Sequence, residues 1–265
     1  MEKNIHCHRI AVKIGSSSLT HEGTGRLNLR RMEMLVRTIS DIKNSGREVV
    51  LISSGAIAAG AAKLGISHRD KTLSQKQALA AVGQPELMSV YERLFAAYGY
   101  NVGQILMTKD IVDDPHRLEM VKNTFSKLLA LGCVPIVNEN DSISNEEIRF
   151  GDNDTLSAYV AIVSEADLLV NLSDIDGLYD SDPHTNPDAH LISRVECLEK
   201  VRSFASDAKS KVGTGGMVTK LNAAEIAGGA GIPMLILNGK DPAVLYSIID
   251  CEKVGTYFAP ERKEV

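Results

Sequence analysis

A chain of 265 residues, 44% of them apolar and 24% charged, can bury a sizeable core as one large domain or two small ones. A formal net charge of −5, no long basic stripe, no tryptophan and 5% aromatics exclude a general nucleic-acid binder with a base-stacking platform. With no run of 18 apolar residues, no hydrophobic leader in MEKNIHCHR and no CxxC pair among Cys7, Cys133, Cys197 and Cys251, the expected setting is the reducing cytoplasm, without a membrane.

Strand-like and helix-like segments then alternate. Arg9–Ile14 (RIAVKI) predicts a short strand. Leu29, Met32, Leu35, Val36, Ile39 and Ile42 recur at helical spacing until Gly46. Glu48–Ser53 (EVVLIS) is nearly all apolar before its serine, as suits a parallel strand covered on both faces. Ala56–Leu64 is alanine-rich and helical, and residues 73–98 predict a longer helical region with a kink or break at Gly83–Pro85. Further strands are expected at 101–107, 134–138, 168–172, 233–237 and 254–258. Helices are expected at 117–130, on the face of Leu156, Tyr159, Val160 and Val163, near 198–208, at 216–230 and at 242–249. Residues 141–150 are polar with scattered isoleucines, a hairpin or flap, and 173–190 is a long Gly/Pro/Asp/Asn-rich loop of the kind that usually carries function. The reading is α/β: one three-layer α/β/α sandwich on a mostly parallel central sheet of six or more strands, with no linker and no repeat.

Ligands of such sheets bind beyond the C-terminal strand ends. Four ends carry small, glycine-rich or acidic motifs: KIGSSS (13–18), SSGA (53–56), NEND (138–141) and NLSD (171–174). In KIGSSSL a lysine precedes a glycine turn whose amides can form an anion nest, though a strand-edge lysine would look the same. Gly55 marks a helix start whose free N–H groups could hold a phosphate or carboxylate, unless Ser53 or Ser54 merely caps it. KVGTGGMVTK (211–220) is more specific: Gly213, Gly215 and Gly216 feed a helix, and Lys220, about one turn in, can return its charge toward a phosphate.

GDND (151–154) stands before an apolar helix. A cap needs one such residue, so Asp152, Asn153 and Asp154 leave carboxylate to orient the lysines or to help hold a hydrated Mg²⁺. Asn138, Asn140 and Asp141 suit a small substrate with an amino group. These residues alone point to a nucleotide-dependent phosphoryl transferase acting on a small polar molecule.

The same residues, within VKIGSSSLT (12–20), ISSGAIAAG (52–60), SQKQALAAVGQ (74–84), VGQILMT (102–108), PIVNENDS (135–142), FGDNDTLSA (150–158), GLYDSDP (177–183) and GTGGMVTK (213–220), resemble the amino-acid kinase superfamily, and within it the glutamate 5-kinase (γ-glutamyl kinase) family. The matching stretches follow family order along nearly the whole chain. The resemblance implies the amino-acid kinase fold as a single domain over residues 1–265, its N-terminal part mainly binding substrate and its C-terminal part mainly binding nucleotide. It implies transfer from ATP, with Mg²⁺, to the γ-carboxylate of L-glutamate, the first step of proline biosynthesis.

By that resemblance Lys13 and Lys220 contact the phosphates, and Gly15 and Gly55 line the phosphoryl path. Asp154 orients both lysines, and Ser54, Asp141 and Asn153 bind glutamate. Ser173, Asp174, Gly213, Thr214, Gly215, Gly216 and Met217 hold the nucleotide, and no residue is assigned to the metal. The family also implies proline as feedback inhibitor, a homo-dimer or homo-tetramer, and coupling to glutamyl phosphate reductase. Ser173 stands where many relatives have threonine, and no room is expected for the C-terminal PUA domain many of them carry. The competing readings are another small acceptor, such as N-acetylglutamate, and a non-catalytic small-molecule sensor on the same fold.

Overall fold

The computed structural model describes residues 7–66, 72–145, 150–183, 185–202 and 216–261. Eight strands form one sheet: β1 (Arg9–Ile14), β2 (Glu48–Ser53), β3 (Val102–Met107), β4 (Val134–Glu139), β5 (Leu168–Ser173), β6 (Arg194–Val195), β7 (Met234–Asn238) and β8 (Thr256–Phe258), in the order β3-β4-β2-β1-β5-β7-β8-β6. The strands from β3 to β7 in that order are parallel, β8 runs antiparallel to β7, and β6 pairs parallel to β8. The central strands are apolar at nearly every position because both faces are covered.

The helices are α1 (Ser16–Leu19), α2 (Leu29–Asn44), α3 (Ala56–Leu64), α4 (Leu73–Ala96), α5 (Asp110–Asp113), α6 (Pro115–Ala130), α7 (Asn153–Val163), α8 (Met217–Gly229) and α9 (Tyr246–Ile249), the last preceded by a 3-10 turn at Pro242–Leu245. One core layer joins Ile10, Val12 and Ile14 of β1 to α2, α4 and the C-terminal helical turns. The other joins Ala11 of β1, Leu169 of β5 and Ile236 of β7 to α6, α7 and α8. Successive strand side chains point to opposite faces. Lys13, two residues after Ala11, therefore faces α7 and α8, and so does Asn171, two after Leu169.

Several helix starts have local causes. Asn28 accepts from Arg31 N at 3.2 Å ahead of α2, Asp114 caps α6 with Pro115 at its first position, and Thr72 and Gln75 form a capping box on α4. α4 does not break at Gly83–Pro85, as the sequence suggests; it continues for 24 residues. Gly83 serves a helix–helix approach instead. A Cβ there would lie 1.8 Å from the Ala56 carbonyl oxygen, and one at Gly60 would lie 2.0 Å from that of Leu79. Packing against α3 holds the segment helical across the proline.

Of the loop expected at 173–190, Ser173 ends β5 and the other described residues are irregular, tied down by Thr256, whose buried hydroxyl accepts from Leu178 N at 2.8 Å and donates to Ile192 O at 2.6 Å. Most of the helix expected near 198–208 lies outside the described residues, and 199–201 form a turn. Of the expected flap, 141–143 form a turn and 146–149 lie outside the described residues. Among the described residues, no helix is long and apolar enough to cross a membrane.

Candidate active site

α7 begins beside the C-terminal ends of β1, β2, β4 and β5. Asp152 is its cap, accepting from Thr155 N at 2.7 Å. With that duty met, Asn153 and Asp154 turn to other partners. Asp154 is 1% exposed and gathers four donors. Oδ1 accepts from Lys13 Nζ at 2.5 Å and from Asn171 Nδ2 at 2.8 Å. Oδ2 accepts from Thr219 Oγ1 at 2.7 Å and Lys220 Nζ at 3.1 Å. Alternation along β1 delivers Lys13, and α8 delivers Thr219 and Lys220 within its first turn, where the Thr219 hydroxyl also bonds the carbonyl of Gly216, the cap residue.

Two ammonium groups close on one carboxylate, all nearly buried, make a site with excess positive charge. Burial alone would raise the Asp154 carboxyl, but Lys13 and Lys220 overrule it and hold the group well below the usual carboxylate range. Lys13 is lowered, first by burial and then by Lys220, against the pull of Asp154 and Asp152. Burial also raises Asp152, against its bonds to Thr155. A buried, preorganised cluster of this sign suits the equatorial oxygens of a transferring phosphoryl group.

Polar groups on the β2 and β4 side continue from this cluster. Asn153 Nδ2 donates to Ser54 Oγ at 2.7 Å and to Asn138 Oδ1 at 3.1 Å, and Asn138 Nδ2 donates to Gln84 Oε1 at 2.9 Å. With its nitrogen so engaged, Asn153 has its carbonyl oxygen available to accept from an ammonium group. A small cleft beside this chain is lined by Ala56, Ala80, Gln84, Asn140, Asp141 and Ser142. Glu139 also lines it, nearly buried, accepting from Phe150 N at 3.0 Å and so tying the far end of the 140–150 segment to β4.

Gly55 adopts φ +108° ahead of α3, and a Cβ there would meet nothing within 4 Å, so open space lies before the helix start. At Gly15 a Cβ would stand 3.7 Å from Lys13 Nζ, in the space before the ammonium. Ser173, at the end of β5, donates to Asp174 Oδ1 at 3.1 Å. Gly216 and Met217 open α8, while Gly213, Thr214 and Gly215 lie outside the described residues.

Lys13, Lys220 and Asp154 thus meet directly, as do Ser54 and Asn153, and Asp141 lines the adjoining cleft. Sequence reasoning left Thr219, Asn171, Gln84 and Glu139 without roles. Thr219 adjoins Lys220 inside a motif already singled out, so its signal was present. Asn171 needs the register of β5 against β1 to be recognised. Among the described residues no group of three or more His, Cys, Asp or Glu side chains could hold a metal ion, and Asp154 is already engaged by two lysines.

Known proteins are similar to this chain at two levels. Two solved structures share the fold alone, at 17% identity each: a UMP kinase from Bacillus anthracis (TM-score 0.66, covering 97% of each chain) and an isopentenyl phosphate kinase (TM-score 0.67, covering 95% of this chain and all of that one). In sequence, a protein named Glutamate 5-kinase from Clostridium acetobutylicum is 53% identical over 257 residues, 97% of this chain and 96% of its own length. One of the same name from Carboxydothermus hydrogenoformans is 51% identical over 99% of this chain and 70% of its own length. The sequence profile of the Amino acid kinase family matches residues 8–238, which hold β1 through β7 and every residue of the charge cluster. The chain belongs to the amino acid kinase family.

Proposed function

We propose that this chain transfers the γ-phosphoryl group of ATP to the γ-carboxylate of L-glutamate, releasing ADP and γ-glutamyl phosphate, the first step of proline biosynthesis. The observation that carries the reading is the buried Lys13–Asp154–Lys220 cluster, next to which Asn153 bonds Ser54. Near-full-length relatives named Glutamate 5-kinase supply the acceptor.

The chemistry asks little of the protein. The acceptor carboxylate is already a nucleophile, so no general base is needed. Its oxygen bonds to the γ-phosphorus while the bond to the β,γ-bridging oxygen breaks and ADP leaves with that electron pair. The protein contributes alignment and charge. Lys13 and Lys220 neutralise the transferring oxygens, Asp154 fixes the two ammoniums, and the amides at Gly15 and Gly55 border the phosphoryl path. The Asn153 carbonyl and Asp141 suit the α-ammonium of glutamate, with Ser54 nearby. On this reading the strand ends before α7 serve the acceptor, and Ser173, Asp174 and the start of α8 serve the nucleotide. Mg²⁺, bound with the ATP phosphates, would supply further charge neutralisation there.

The test is ADP release from Mg-ATP with L-glutamate, N-acetyl-L-glutamate, L-aspartate or UMP, with the acyl phosphate trapped by hydroxylamine. Glutamate-dependent hydroxamate is expected. Transfer only to another acceptor would leave the lysine roles standing and remove the glutamate pocket. Binding of ATP without turnover of any acceptor would favour a sensor or a missing partner.

A further inference from the structure

Asn171 is fully buried in β5, and pairing sets it beside Lys13 on one side and Ile236 on the other. Its Nδ2 donates to the very oxygen of Asp154 that receives Lys13, at 2.8 Å against 2.5 Å. Its own Oδ1 is buried with no hydrogen-bond partner among the described residues. An unpaired buried carbonyl is unfavourable, and an apolar side chain would suit this central strand. Reversing the amide gives no relief, since Oδ1 would then face a carboxylate that only accepts. Core packing alone does not account for an asparagine at this position.

We infer that Asn171 is a positioning residue for phosphoryl transfer, locking the rotation of the Asp154 carboxylate so that one oxygen serves Lys13 and the other serves Lys220 and Thr219. The inference rests on the kinase reading above. Without the amide, Oδ1 keeps Lys13 alone, and only the flexible ammonium arms and the Thr219 hydroxyl still set the carboxylate's rotation about its Cβ–Cγ bond. Both ammoniums then leave the line on which the phosphoryl group must be held, and transfer slows with little change in nucleotide binding. The charged groups facing Lys13 are Asp154 and Asp152 from α7 and its cap and Lys220 from α8. A carboxylate at position 171 would add another negative group beside Lys13.

Wild type, Asn171→Leu and the near-isosteric Asn171→Asp are compared for ADP release with ATP and L-glutamate from about pH 6 to about pH 10, each checked by thermal melting. The leucine variant is expected to lose about tenfold in kcat while its KM for ATP stays within about twofold. The aspartate variant is expected to lose turnover too, with the alkaline limb of kcat moved to higher pH, because the added carboxylate favours the charged form of Lys13. If only the aspartate variant folds, its kcat on the plateau below the limb decides the matter. Folded variants with wild-type kcat and an unmoved limb overturn the inference. A wild type that turns over no acceptor defeats the kinase reading instead. Calorimetric binding of a non-hydrolysable ATP analogue over the same pH range then judges Asn171, and an alkaline midpoint unmoved in the aspartate variant overturns it.

Discussion

Lys13 carries the most consequence of any single side chain. It is buried, its charge is disfavoured first by burial, and Asp154, with a smaller pull from Asp152, holds the proton on. Its lowered pKa places the loss of its charge below the ~10.4 of an ordinary lysine. The second-order rate, kcat/KM, which reports the free enzyme, should therefore fall on an alkaline limb whose midpoint lies below that value, and a kcat/KM flat to pH ~10.5 would count against Lys13 as a group the free site needs charged. Lys13→Ala and Lys220→Ala should each cost on the order of 3 kcal/mol in transition-state stabilisation, about a hundredfold or more in kcat, in protein that still melts cooperatively. Near-normal turnover in either would sink the charge-stabilisation role. At this scale the sequence was legible where a residue sat inside a motif. Lys13, Asp154 and Lys220 each adjoin glycines that need explaining. Asn171 and Glu139 also sit inside motifs, NLSD and NEND, but their roles come from strand register and from a contact with Phe150 N that spacing cannot show.

The elements place these side chains, and the α3–α4 pair is the tightest join near the site. Ala56 opens α3 directly after the Gly55 turn, and its carbonyl touches Gly83 of α4. Gly83→Ala would put a methyl group 1.8 Å from that oxygen, so the helices must separate. Overpacking between backbones should cost about 2 kcal/mol or more, and the displaced α3 start should lower kcat/KM as well. Urea unfolding and steady-state kinetics on one preparation check both effects, and stability within about 0.5 kcal/mol of wild type would mean that the helices slide apart freely. Most elements followed from periodicity, because two-sided burial makes each central strand an apolar block. The exceptions have physical causes. Gly83 and Pro85 read as breakers only until a partner helix is known to approach the glycine. β6 is two residues long at the sheet edge, too short to carry a period, and nothing local in Thr256–Phe258 fixes its antiparallel direction.

Across the whole molecule, Asp154 joins parts of the chain far apart in sequence, meeting Lys13 141 residues before it and Lys220 66 residues after it. The carboxylate is therefore a clasp between halves as well as part of the proposed machinery, and this gives an acid signature. Its folded pKa lies well below the unfolded value of ~3.9, so its stabilising contribution is complete above that pH. As pH falls below ~4, the unfolded chain takes up a proton that the folded site refuses, and the contribution is lost progressively. The lowered pKa of Lys13 acts only in the alkaline range and does not enter this window. Asp154→Asn leaves two buried ammoniums without their carboxylate, which should cost about 3 kcal/mol at neutral pH. The variant has no carboxyl to titrate there, so the stability gap to wild type should stay level from pH ~7 to ~5 and narrow below ~4. Urea unfolding of both proteins at steps across that range measures it. A gap that stays constant into acid would mean that Asp154 is not held as a carboxylate by the two lysines, and the clasp would then have to be sought in the apolar packing of α7 against α8.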